Sequence, residues 1–407
     1  MTQQPVRRTT PSLPAQTDLP FSPWPHFEAE EIDAVSSVLR SGKVNYWTGE
    51  QGQQFEREFA HSAGALHAIC VANGTAALEL ALFALGIGRG DEVITPARTF
   101  FASASSIVMR GARPVCADVD PESQNVTAAT IQRVITPRTR AIIVVHLAGW
   151  PCEMDAILAL AKERDLRVIE DCAQAQGATY KDRPVGSMGD AAAFSFCQDK
   201  IMTTGGEGGM LVTNDRDIWS RAWSFRDHGK SYAAVNSQDH PPGFRWLHES
   251  FGTNWRMTEM QAAVGRVVLK KVPAWIELRR RHAAHLTSRF SSVPGLRLGV
   301  PSDEYRHAYY KYYAFIQPEM LRPGWSRDRI IAEVVSAGVP CFVGSCGELY
   351  LEKAFAKLRR HARRPVAKWL GETGLMFLVH PTLTDQHMEI TWQAVQHVML
   401  KATKHHA

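Results

Sequence analysis

The chain has 407 residues, 45% of them hydrophobic and 21% charged, which suits a globular protein with room for two domains. Its 46 Lys and Arg against 41 Asp and Glu leave a formal charge of +5, spread along the chain. That balance gives no support to a dedicated nucleic-acid binder, and the composition excludes collagenous, disulfide-scaffold and wholly disordered chains. Residues 1–22, rich in Pro, Thr and Gln without periodicity, are expected as a loose tail. Ile32, Val35, Val38 and Leu39 form one apolar helical face, ended by Ser41-Gly42. From residue 67 short apolar runs (AICVA, EVITP, RPVCADV, RAIIVVHL, RVIED, AAAFSF, GGMLVT) alternate with helical stretches at 76–85, 99–110 and 154–165. This predicts an α/β fold, a mainly parallel seven-stranded sheet covered by helices. No helix separates AAAFSF from GGMLVT, so one antiparallel neighbour is expected there. Residues 257–290 read as a long helix that Pro273 breaks or kinks. YYKYYAFI (309–316), a helix near 326–337 and further short elements then form a smaller α+β domain. The expected division is a large domain over 23–268 and a small C-terminal domain over 269–407.

The seven cysteines are scattered, with no C-x-x-C pair. A reducing compartment fits this pattern and a zinc ribbon does not. The first twenty residues lack the apolar stretch of a signal peptide, and no run reaches the length of a membrane span. The expectation is a cytoplasmic protein with no membrane, nucleic-acid or metal partner.

In an open parallel sheet, ligands gather at the carboxyl ends of the strands, where helix N-termini also point. After AICVA comes Asn73-Gly74-Thr75-Ala76, opening a helix. A glycine, a hydroxyl and free helix N–H groups make a phosphate cradle, although a plain N-cap has the same composition. GxxxxGK[ST] is absent, and Gly86-Ile87-Gly88-Arg89-Gly90 precedes a strand instead of following one, so both common nucleotide loops fail on context. The strand RVIED ends in Glu170-Asp171, neighbours that point to opposite faces and so cannot act as a close acid/base pair. One of them can reach a site alone, where it requires a cationic partner, with Gln174 nearby as a hydrogen-bonder. A strand then delivers Ser195, a short loop delivers Lys200, and four glycines follow within residues 205–209. A lysine in such a loop is either a surface residue or one placed for Schiff-base chemistry. A phosphate cradle, a lone strand-end Asp and a loop Lys are together the parts needed to hold pyridoxal phosphate.

With these motifs the sequence resembles the DegT/DnrJ/EryC1/StrS sugar aminotransferases. The resemblance runs over roughly residues 24–395, through NGTAALELAL, GDEVITPARTFFASA, PVCADVD, VIEDCAQAQGA, GSMGDAAAFSF, DKIMTTGGEGGMLVTND and TNWRMTEMQAA. It implies the fold-type I architecture of pyridoxal 5′-phosphate (PLP) enzymes. It further implies that Lys200 forms the internal aldimine and moves the proton, while Asp171 pairs with the pyridine nitrogen. Gly74, Thr75 and Ser195 match phosphate binders, and Gln174 matches a residue on the cofactor's 3-hydroxyl side. Phe100 matches an aromatic ring stacked on the cofactor, a position a core aromatic would equally fill. Asn254 matches an Asn reaching the phosphate from the neighbouring subunit of a homodimer. The implied substrates are L-glutamate and a nucleotide-linked keto sugar aminated at C3 or C4, with a cyclitol ketone or a non-catalytic sensor role as alternatives. Family members that dehydrate sugars carry His in place of Lys200. Cys172 departs from the Ala or Ser of many members. Arg279-Arg280-Arg281 and the basic run 357–364 are expected as solvated helix faces. His282 and His285, a turn apart, make a poor metal site because no carboxylate stands near them in sequence. His307 and Tyr350 are placed by the resemblance near the sugar pocket.

Overall fold

The alternation of apolar runs and helices becomes a central sheet with both faces covered. The structure, a computed structural model, describes residues 20–237, 243, 245–358 and 362–404. Helices α1 (Ala29–Ser41) and α2 (Gln51–Ser62) lead in. Then β1 (His67–Val71), α3 (Gly74–Ala84), β2 (Glu92–Pro96), α4 (Ala102–Met109), β3 (Arg113–Ala117), α5 (Ala128–Gln132), β4 (Thr139–Val145), α6 (Met154–Glu163) and β5 (Arg167–Asp171) alternate. The two-residue strands β6 (Thr179–Tyr180) and β7 (Arg183–Pro184) precede β8 (Ala191–Ser195), β9 (Gly209–Thr213), α7 (Arg216–Arg226) and α8 (Tyr232–Asn236). The long α9 (Glu259–Phe290) is followed by β10 (Leu296–Leu298), β11 (Tyr305–Arg306), β12 (Tyr312–Ile316) and α10 (Arg327–Ser336). The chain closes with β13 (Cys341–Phe342), α11 (Pro365–Thr373), β14 (Gly374–Phe377) and α12 (Asp385–Ala402).

The large sheet has seven strands in the order β1-β9-β8-β5-β4-β2-β3. Pairings from β3 through β8 are parallel, while β9 runs antiparallel to both β8 and β1, as the helix-free connection predicted. The strands are buried almost end to end, so they read as continuous apolar runs rather than alternations. Four antiparallel strands, β10-β12-β14-β13, form a second sheet packed under α9, α10 and α12 around Phe290, Phe377 and Met388.

Pro273 does not break α9, which runs through it for 32 residues. Tertiary packing on both sides of the proline offsets the one lost rung. Before it, Arg266 pairs with Glu58 and Lys271 with Glu28 and Glu31; after it, Arg289 pairs with Glu389 of α12. Position 268/269 lies within this helix. Residues 20–22 also differ from a loose tail, since the Phe21 ring lies 5.0 Å from that of His387; residues 1–19 lie outside the described residues.

Glu170 locks the end of β5 to its surroundings. Its carboxylate accepts from His146 Nε2 (3.0 Å) and from the N–H groups of Gly186 (2.9 Å), Met188 (2.8 Å) and Gly189 (2.7 Å). His146 Nδ1 accepts the Cys152 N–H at 2.9 Å, so the proton sits on Nε2 and is donated to Glu170. Burial by itself raises a carboxyl pKa, but the His146 bond and the Gly186 and Gly189 N–H groups outweigh it and hold Glu170 below its ordinary value. A depressed carboxylate contributes stability above its unfolded pKa of about 4.3, lost as pH falls through the folded value. Glu170→Gln is therefore expected to lower stability by roughly 3 kcal/mol at pH 7, because its amide NH2 faces N–H donors. The gap from wild type should shrink below about pH 4. Urea midpoints at pH 7 and pH 4 check both statements.

Candidate active site

The carboxyl ends of β1, β4, β5 and β8 open into one cavity of about 910 Å³. Gly74, Thr75, Phe100, Asp171, Gln174, Ser195 and Lys200 all line it. At its floor lies the N-terminus of α3. Asn73 caps the helix, its side chain accepting the Ala76 N–H at 2.9 Å. The first N–H groups of a helix have no partner within it, so those of Gly74 and Thr75 are left to the cavity. The N-cap and the anion cradle are thus one structure. Gly74 has to be glycine for a packing reason: a Cβ there would stand 2.7 Å from Ser195 Cβ. Gln176, which sequence reasoning passed over, fixes the other side of Ser195 by donating to its carbonyl at 2.7 Å.

Asp171 is the strand-end carboxylate that faces the cavity. It is buried and accepts from Ser103 Oγ (2.8 Å) and the Ala173 N–H (3.1 Å). Burial raises its pKa; the Ser103 and Ala173 bonds and the more distant charge of Lys200 recover only part of the loss. No salt bridge to Asp171 exists among the described residues. Gln174 Oε1 accepts the Ala148 N–H at 2.7 Å, which leaves its amide NH2 as the free donor.

Lys200 stands on a loop tied down at several points. Its carbonyl accepts from Trp24 Nε1 at 2.8 Å, and the Trp24 indole packs on Trp275 and His380. Its Nζ lies 3.5 Å from the Tyr310 hydroxyl, 4.8 Å from the Tyr310 ring centre and 3.7 Å from Asp199. The Tyr310 hydroxyl donates in turn to Asp199. With a side chain only 16% exposed, Lys200 is a cavity residue and not a surface one. Gly205, Gly206 and Gly208, with φ of 91°, 118° and 157°, close the loop in backbone conformations that other residues avoid. Asp199, Tyr310 and Lys311 were not singled out by sequence. The signal present was a lysine inside the aromatic run YYKYY, a poor fit to a simple buried strand.

Phe100 is 68% exposed in this chain, which removes the core-aromatic reading. Asn254 is exposed and is absent from the lining of its own chain's cavity; its backbone bridges Asp227. Several other expectations are corrected. Arg279 is buried, donating to the Tyr309 and Tyr310 carbonyls, because α9 turns that face under the small sheet. His282 and His285 do have carboxylates within reach, Asp385 and Glu389, brought in by α12 from about a hundred residues away in sequence. In the basic run, Arg363 pairs with Glu348 and Arg364 donates to the Cys116 carbonyl, while 359–361 lie outside the described residues. His307 and Tyr350 do not line the cavity; His307 is buried against Tyr309.

Residues 25–396 match the DegT/DnrJ/EryC1/StrS aminotransferase family. The chain belongs to this family. It is similar to the spore coat polysaccharide biosynthesis protein SpsC of Bacillus subtilis, 37% identical with 94% of this chain and 97% of that protein covered. It is 36% identical to the GDP-perosamine synthase of Caulobacter vibrioides, covering 92% and 97% respectively. Its fold superposes on an aminotransferase from Psychrobacter cryohalolentis with a TM-score of 0.92, at 56% identity over 94% of this chain and 99% of that one. This is therefore a PLP-dependent sugar aminotransferase of fold type I. Among the described residues no helix is long and apolar enough to cross a membrane.

Gly74→Ala should push the α3 N-terminus off Ser195 and weaken PLP binding about tenfold, near 1.4 kcal/mol and within the usual range for overpacking. Fluorescence titration of the cofactor-free protein with PLP measures this; wild-type affinity would show that the close approach is dispensable.

Proposed function

We propose that this aminotransferase moves an amino group from L-glutamate to the C3 or C4 keto group of a nucleotide-linked deoxy sugar, as a cytoplasmic homodimer. The observation that carries the reading is the meeting of Lys200 with a buried Asp171 that has no salt-bridge partner among the described residues, above the free N–H groups of α3, in one cavity. The similarity to a GDP-perosamine synthase and to a polysaccharide biosynthesis protein supports a nucleotide-sugar acceptor.

The residues fit the cofactor. Asp171 is a buried carboxylate whose raised pKa records the want of a cation, which a protonated ring nitrogen would supply. The Gly74 cradle, floored by Ser195, suits a phosphate held by helix N–H groups and the Thr75 and Ser195 hydroxyls. When bound, PLP contributes an aldehyde and an electron-accepting ring. Lys200 Nζ would hold it covalently and, once displaced by the substrate amine, serve as the base that takes and returns the proton at the substrate carbon. Asp171, oriented by Ser103, would keep positive charge on the ring nitrogen. Gln174 would offer its NH2 to the 3-hydroxyl side. The exposed Phe100 ring lies on the cavity wall where a flat partner can stack. Asn254, which does not line its own chain's cavity, would reach the partner subunit's phosphate.

Lys200→Ala should cut transamination by at least about 10²-fold, the scale of a lost general base, while the unfolding midpoint stays near wild type. Asp171→Asn should slow the glutamate half-reaction. The readout is the visible band of the PLP-loaded protein, which glutamate bleaches in wild type; bleaching at the wild-type rate in either variant would sink the assigned role. Mixing Lys200→Ala with Asn254→Ala protein should restore turnover that neither shows alone, since a mixed dimer has one intact site. No recovery after subunit exchange would argue against a shared site.

A further inference from the structure

A second lysine shares the cavity wall with Lys200. Lys311 lines the same cavity immediately before β12. Its Nζ lies 4.8 Å from the centre of the Tyr310 ring, the same distance as Lys200 Nζ. Among the described residues the one carboxylate in reach is Asp199, 3.8 Å away, too far for a hydrogen bond. Asp199 is already committed, accepting from the Tyr310 hydroxyl and lying 3.7 Å from Lys200. Lys311 makes no side-chain hydrogen bond among the described residues, although its side chain is only 12% exposed. Behind it, Arg279 is buried with carbonyl partners and no salt bridge among the described residues. Asp199 is therefore the one carboxylate within 4 Å of either lysine among the described residues. A half-buried ammonium with three unused donors facing a cavity calls for an anionic ligand.

We propose that Lys311 receives a carboxylate of the amino donor. The inference rests on the aminotransferase reading of this cavity and adds to it the residue that holds the donor. An amino acid must bring its amine to Lys200 while its carboxylate is held elsewhere. Lys200 is the reacting amine and cannot do both. Arg279 does not line the cavity and spends two of its hydrogen bonds on carbonyls. Lys311 remains: beside Lys200, on the same wall, with its donors free.

Titration offers a second handle. The groups facing Lys311 are Asp199 and Lys200 from the loop after β8, Tyr310 from its own segment, Arg279 from α9 and His380 from beyond β14. Burial lowers Lys311 to about 8; Asp199 works against that shift, and Arg279 and Lys200 add to it. His380, brought down to about 3 by burial and by the charges of Arg279 and Lys311, stays neutral across the neutral range. A bound carboxylate favours the charged amine. Affinity for it is therefore full below about pH 8 and falls as pH rises through that value.

The test is a calorimetric titration of PLP-loaded protein with glutarate, a dicarboxylate that has no amine to transfer. Lys311→Met should weaken glutarate at least tenfold at pH 7, about 1.4 kcal/mol, with the cofactor's absorption band unchanged. Lys311→Arg, which keeps the charge, should hold it within about threefold, and Lys162→Met, an exposed control on α6, should match wild type. Wild-type affinity should fall between pH 7 and pH 9, and that of Lys311→Met should not. The proposal is overturned if wild type does not bind glutarate, if Lys311→Met binds it equally, or if Lys311→Arg loses it as fully as the Met variant. Inorganic pyrophosphate is the competing anion; a loss confined to pyrophosphate would give Lys311 to the nucleotide and overturn the proposal. Glutarate binding by a wild-type protein whose band ignores L-glutamate would defeat the donor reading alone and leave Lys311 as a carboxylate site.

Discussion

A strand's two-residue period governs this molecule at one point, the end of β5. Glu170 and Asp171 are adjacent buried carboxylates, and the pleat sends them to opposite faces. Glu170 meets four donors and becomes part of the framework, fastening β5 to the 186–189 segment and to His146. Asp171 meets a hydroxyl and one N–H, too little to offset burial, and is left needing a cation. One residue's saturation fixes the other's position. Everything in the cavity is arranged around that second, under-supplied carboxylate.

Much of this was legible in the sequence, and the reason is local. Apolar runs of strand length, the Asn73-Gly74-Thr75 turn, the RVIED strand end and the glycine loop after Lys200 are all written within a few residues of the groups they place. The antiparallel entry of β9 followed from the missing helix before it. The failures were all long-range. Arg279 sits in a run of three arginines, and only the packing of α9 on the small sheet decides that the first of them is buried. The carboxylates facing His282 and His285 arrive from α12. Tyr310 and Lys311 reach Lys200 across about 110 residues, and no periodicity in YYKYY announces it. Pro273 was judged by its local effect, while contacts on both flanks carry the helix through.

The cavity wall shows the same economy in its charges. Asp199 lies within reach of Lys200, Tyr310 and Lys311 together, so one carboxylate serves two amines and a phenol. Such sharing leaves Lys311 without a hydrogen-bonded partner among the described residues. A fully paired wall would be more stable on its own and less able to attract an anion.

The indole bond from Trp24 to the Lys200 carbonyl ties the segment before α1 to the Lys200 loop. The neighbouring Pro23 carbonyl accepts from Thr382, and Arg279 lies over the Trp24 ring, so this short lead-in also grips the C-terminal third. It works as a splint laid across two parts of the protein that have to stay aligned. Deleting the segment that carries Trp24 would thus be an intervention on the Lys200 loop, even though 176 residues separate the two in sequence.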